Sequence, residues 1–175
     1  DDHELAAGKG GGVHLANNTT LTLSGSAVIQ NCTATNSANS GEAYGGGVSA
    51  ANVREITLEG NAQIFQCDAA NGSGLYITGS QVPGYGKLFA NGGSVDGDVV
   101  LGEADNPCTV IGSGRTVFKG KVTVTPGSTI EKGTFNGEVI NNGTITGGTF
   151  NGTVNNNGTI NNGTFNGEVT NNGTI

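Results

Sequence analysis

The chain has 175 residues, of which 33 are glycine; 12% are charged, 5% are aromatic, three are cysteine, and there is no methionine or tryptophan. Glycine excess without a G-X-Y period excludes a collagen triple helix, and regularly placed β-branched residues argue against disorder. A net charge of −7, with seven Lys and Arg scattered along the first 132 residues, leaves no basic stripe for nucleic acid, and no apolar run approaches the ~20 residues that span a bilayer.

Residues 1–9 read as a polar tail, neither basic nor apolar enough for a signal peptide. His3 and His14 are isolated near the amino end, so no Ser/His/Asp or Cys/His set arises. Over residues 10–94 a longer repeat follows. Gly10-Gly11-Gly12-Val13 recurs as Gly45-Gly46-Gly47-Val48, Leu21-Thr22-Leu23 as Ile56-Thr57-Leu58, and Ile29-x-x-Cys32 as Ile64-x-x-Cys67, each thirty-five residues on. The polar stretches 33–44 and 68–73 read as loops leaving the coil, and Gly74-Leu75-Tyr76-Ile77 opens a third turn. Residues 95–132 form a transition, in which Val124 and Ile130 already sit fifteen residues before Val139 and Ile145.

From residue 133 to 175 the period is fifteen. Gly133-Thr134-Phe135 recurs at Gly148 and Gly163, and Asn141-Asn142-Gly143-Thr144-Ile145 recurs at Asn156 and Asn171. A unit this short encloses no core of its own and is stable only when stacked on copies of itself. Asn-Gly, Gly-Gly and Asn-Asn pairs tolerate positive φ and supply corners, whereas a helix would not survive this much glycine. The spacing therefore predicts an all-β, single-stranded parallel β-helix. Its wide coils on the amino-terminal side narrow to three-sided fifteen-residue coils, with no long helix. Columns of Phe135, Phe150 and Phe165, of Val139, Val154 and Val169, and of Ile145 and Ile160 fill the bore, joined by Ile29 and Ile64 in the wide coils.

The Gly-Gly-Gly-Val starts, the Leu-Thr-Leu-Ser-Gly and Ile-Thr-Leu-Glu-Gly strands, the Ile-x-x-Cys pairs and the Asn-Asn-Gly-Thr-Ile ladder resemble the repeat regions of large bacterial surface proteins. These are adhesin-like right-handed parallel β-helices of the pectin-lyase-like group, related in style to autotransporter passenger domains. The resemblance covers roughly residues 8–175 and implies architecture more than activity. What it implies is a secreted or cell-surface, non-enzymatic stalk that binds a host surface protein or a glycan. Two rivals are a fragment of a polysaccharide-active enzyme and an ice-binding solenoid.

Several residues are site candidates. Tyr44, Tyr76 and Tyr85, beside the loops, are the ligand-contact candidates. Asp96, Asp98, Glu103 and Asp105 place four carboxylates within ten residues, which suits calcium or simply a solvated acidic edge; no other cofactor is implied. Lys119, Lys121 and Arg115, beside those carboxylates, are what an enzyme reading would need. Cys32 and Cys67 occupy equivalent positions in adjacent coils, as two stacked free thiols or a bridge with a poor dihedral, and Cys108 reads as a small buried hydrophobe. Thr134-x-Asn136, Thr149-x-Asn151 and Thr164-x-Asn166 form one outward ladder, and Thr144, Thr159 and Thr174 a second; these are either good strand residues or an ice-matching array. The last coil, stacked on one side only, offers open strand edges for end-to-end self-association.

Overall fold

A computed structural model describes residues 8–36 and 43–175. His3, most of the tail 1–9 and the centre of the loop 33–44 lie outside the described residues. Within them, twenty-two strands of two to four residues build three all-parallel sheets and there is no helix. The first face stacks eight strands, from Val13–Ala16 to Val169–Asn171. The second runs from Thr20–Leu23 to Thr159–Ile160, and the third from Val28–Gln30 to Thr164–Phe165, with seven each. The protein is a three-sided parallel β-helix. Each rung visits the three faces in turn, and every hydrogen-bonded neighbour is the same element one rung away.

Strand character follows from two-residue alternation. In Glu55–Leu58, Ile56 and Leu58 are buried while Glu55 and Thr57 are half-exposed. Corners are taken by residues that accept a left-handed backbone, such as Asn18 at φ 62° and Asn52 at φ 54°. The glycine of each Gly-Thr-Phe triplet is required twice over. Gly133, Gly148 and Gly163 have φ of 134°, 108° and 151°, and a Cβ there would come within 2.9, 3.3 and 2.9 Å of a phenylalanine ring.

On the first face Val13 pairs with Val48, Val48 with Leu75, Leu75 with Val99, Val99 with Val122, Val122 with Val139 and Val139 with Val154. Successive rungs thus shorten from thirty-five residues to fifteen. The variation falls in corners and loops, because the inward columns need a constant cross-section. One expected register is corrected. Val124 stands opposite Asn141, not Val139, although Ile130 does pair with Ile145. The turn 125–128, built on Pro126 and Gly127, is two residues longer than the corner Asn142-Gly143 one rung on, so fifteen-residue spacing begins on the second face.

The bore is filled as expected by stacked columns. Phe118, Phe135, Phe150 and Phe165 lie ring over ring, with centroids 4.8 to 4.9 Å apart and planes within 9°. Val139, Val154, Ile130 and Ile145 are wholly buried, as is Ile64. Ile29 pairs with Ile64, and Phe165 and Val169 continue their columns, yet all three are only partly buried, being near the two ends of the described stack.

A fourth column departs from expectation. Asn141 and Asn156, read from sequence as corner residues, point inward with no exposure. The Asn141 amide donates to Asn156 Oδ1 at 2.7 Å, and the Asn156 amide to Asn171 Oδ1 at 2.7 Å. Each amide also reaches a backbone carbonyl of the next rung, Thr159 at 3.2 Å and Thr174 at 3.1 Å. Only the second asparagine of each pair turns the corner. Two further ladders run outside, Asn136, Asn151 and Asn166 at 2.8 Å per step, and Asn142, Asn157 and Asn172 at 3.1 and 3.3 Å. The outer amides donate toward the amino end and the inner ones toward the carboxyl end.

Asn156→Leu is expected to cost about 2 kcal/mol although it inserts an apolar side chain into a core. Asn171 Oδ1 and the Thr174 carbonyl keep the Gly173 and Ile160 N–H groups as donors, but the buried Asn141 amide keeps only the Thr159 carbonyl and loses the acceptor of its other hydrogen, and a buried group left unpaired costs on the order of 1 to 3 kcal/mol. A urea midpoint equal to that of the parent would refute this.

Candidate functional site

Two of the three tyrosines meet, and the third stands apart. Tyr76 is 7% exposed, its ring 4.8 Å from that of Tyr44, and its hydroxyl donates to Glu103 Oε1. Burial, reinforced by the bond to Glu103, pushes its phenol well above the ordinary tyrosine range. Tyr85 lies apart and donates to Asn18 Oδ1 at 2.7 Å, which ties the 79–86 loop back to an earlier corner. Tyr44 and Tyr85 stay partly exposed, whereas Tyr76 is a packing residue that clamps the turn 103–106 onto the first face.

The four carboxylates also separate. Asp96 pairs with Lys119 at 2.9 Å and Asp98 with Lys121 at 3.7 Å, each lysine standing one rung beyond its partner. Asp98 also accepts from the Lys121 backbone N–H at 2.9 Å. With both side chains of each pair nearly half exposed, such bridges contribute little beyond fixing the register of the corner. Glu103 is engaged by Tyr76, and Asp105 is exposed in the turn 103–106. Among the described residues, no three His, Cys, Asp or Glu converge on a point where a metal could sit. The calcium expectation for Asp96, Asp98, Glu103 and Asp105 therefore finds no cluster. The same ion pairs commit Lys119 and Lys121 to the outer surface.

All three cysteines are free. Cys32 and Cys67 stack on adjacent rungs, their thiols donating to the carbonyls of Gln30 at 3.1 Å and Phe65 at 3.3 Å. Burial raises the Cys67 thiol, and complete burial raises that of Cys108 much further. Because the thiolate is the reactive form, a disulfide reagent applied to the folded protein is expected to modify Cys32 first, Cys67 slowly and Cys108 only on unfolding. Simultaneous reaction of all three would contradict this placement.

The Thr-x-Asn ranks lie as expected on the outside of the third face, with Thr134, Thr149 and Thr164 in register. On the second face Thr109, Thr129, Thr144 and Thr159 form a continuous outward row, to which Thr174 adds a final bridge.

Sequence reasoning missed an open polar groove of about 400 Å³ at the corner between the second and third faces. It spans three rungs and is lined by Gly60, Asn61 and Gln63 of one, Asn91 to Ser94 of the next, and Arg115 of the third. The third corner is longer than the two before it and folds back on them. The Ser113 N–H donates to Asn91 Oδ1 at 2.9 Å, Gly114 and Arg115 both donate to the Ala90 carbonyl, and Thr116 Oγ1 donates to the Gly92 carbonyl at 2.7 Å. These bonds hold the Arg115 backbone over the groove. The one signal available in sequence was the run Gly112-Ser113-Gly114-Arg115, longer than the corners at Gly60 and Gly92.

The architecture and its surface define a three-sided parallel β-helical solenoid with a polar groove on the corner between its second and third faces. Comparison with family models, with curated proteins and with solved structures found no match.

Proposed function

We propose that this chain is a rigid, non-enzymatic segment of a bacterial surface protein, a β-helical stalk whose wide end contacts a host surface protein or a glycan. The observation that carries this reading is the unbroken parallel ladder on all three faces, from Val13 to Asn171 on the first. Eight stacked strands give roughly 34 Å of continuous rod at the usual strand spacing. All variation between rungs sits in corners and loops, so the shaft stays regular while its surface is free to change. The resemblance to adhesin-like repeats supports the same reading and supplies its secreted or cell-surface setting.

The test is to immobilise the chain, probe it with an array of host and plant glycans and with intact epithelial cells, and follow the bound polymer for cleavage. Retention without product release is the expected result. Release of shortened saccharide would replace this reading with the enzyme alternative, thermal hysteresis with ice binding, and failure to retain any glycan or cell would remove the adhesive function.

A further inference from the structure

We infer that the corner groove at Arg115 is a binding site for an anionic glycan, with the carboxylate or sulfate of one sugar on the Arg115 guanidinium and neighbouring hydroxyls on Asn61, Gln63 and Asn91. This rests on the adhesive reading and names its ligand class. The groove is lined by polar groups, with no aromatic ring on which a neutral sugar could stack. Its affinity must therefore come from charge and hydrogen bonds. Carboxamides present a donor and an acceptor side by side and match hydroxyls, which are both, while the guanidinium fork matches a planar anion in two-point fashion.

Charge placement points the same way. The protein carries a net charge of −7, which disfavours anions in general. Lys119 and Lys121 are neutralised by Asp96 and Asp98. Among the described residues Arg115 enters no ion pair, and neither does Lys132, which lies on the next rung of the same corner. Lys132 packs over Gly114, its Cβ 3.6 Å from where a side chain on Gly114 would begin. Two unpaired cations thus follow one another along one corner of an acidic rod. The carboxamides of Asn61 and Gln63 are likewise uncommitted to any side-chain bond among the described residues, and Asn91 uses only its oxygen, on the Ser113 N–H, leaving its amide donors for a ligand. The three lining rungs cover ~10 Å along the axis, so a chain of sugars running with the rod meets the amides first and the cations last.

The test is calorimetric titration of the intact chain with three hexasaccharides: hyaluronan, which carries carboxylates only, chondroitin sulfate, which carries both anions, and neutral cellohexaose. The expected result is binding of one or both acidic oligosaccharides at least tenfold tighter than of cellohexaose, weakening as salt is raised. The separate titrations report whether carboxylate suffices or sulfate is needed. Arg115→Ala should weaken binding at least tenfold with unchanged melting, Arg115→Lys should retain part of it, and Lys132→Ala should lose less than Arg115→Ala. Equal binding of the neutral hexasaccharide, or an unchanged affinity in Arg115→Ala, would overturn the site. So would no binding of either acidic chain. If cells or other glycans are nonetheless retained by both parent and Arg115→Ala, the groove assignment falls while the adhesive reading stands; if nothing is retained, both fall.

Discussion

Ile145→Asp is expected to be the most damaging single change in the narrow part of the rod. Ile145 is fully buried between Ile130 and Ile160, and the bore around it holds no cation that could pair with a carboxylate. An unpartnered buried charge costs on the order of 3 to 5 kcal/mol, a large share of the total stability of a small domain. The carboxyl relieves part of this by protonating, so its pKa in the folded chain rises above the ~3.9 of the unfolded one. The folded state then binds the proton more tightly. The penalty is accordingly smallest below the unfolded pKa and grows by ~1.4 kcal/mol per pH unit until pH passes the raised folded value. Denaturant midpoints measured at pH 4 and pH 7 should show the variant recovering toward the parent at the lower pH. Thr146→Asp, one residue on and exposed, should stay within about 0.5 kcal/mol of the parent at both. Equal effects of the two substitutions would mean that the assigned parity of the strand is wrong.

Phe150→Ala should come next, at about 4 kcal/mol. Truncating a buried phenylalanine costs roughly 3 to 5 kcal/mol through lost transfer energy and the cavity left behind. Here the cavity cannot collapse readily, because its roof and floor are the rings of Phe135 and Phe165, 4.9 and 4.8 Å away and held by backbone ladders. Two ring contacts vanish together, each worth on the order of 1 kcal/mol beyond burial. Hydrogen exchange should locate the damage. Amides of residues 149–171 are expected to lose protection while those of residues 48–101 keep it, since a solenoid transmits stability only through nearest neighbours. Uniform loss across the whole chain would instead indicate a single cooperative unit.

The architecture was readable because the repeat places an apolar β-branched or aromatic residue on each side of the coil and a glycine or asparagine at each corner. Ile145 and Phe150 announce their positions by type and period together. Asn141 and Asn156 do not. Alternation along Val139–Asn141 places Asn141 on the same side as Val139, but its polarity argues for the surface, and only the stacked amides of the next rung make the inward position tolerable. A lone asparagine gives no hint that its copy is its partner. Register slipped at Val124 for a related reason, since the two extra residues lie in the turn 125–128 and the distance to the next valine does not say which corner absorbs them. The partners of the acidic run were not readable, because Asp96 and Asp98 meet Lys119 and Lys121 only once the length of that particular rung is known. The groove is harder still to read. Its walls are corners of three rungs, and no local motif joins Asn61 to Asn91 or Arg115.

Residues 146–160 make one complete rung that presents the same phenylalanine, valine, isoleucine and asparagine to the rung above as to the rung below. Its two surfaces are interchangeable. Removing such a unit, or copying it, joins surfaces that already fit, and the rod changes length by a single step of ~4.8 Å. An in-frame insertion or deletion of fifteen residues here therefore adds or removes one whole step without a new packing surface. The narrow region is in this sense an adjustable ruler, able to change length by whole rungs while the wider rungs keep their own corners and loops.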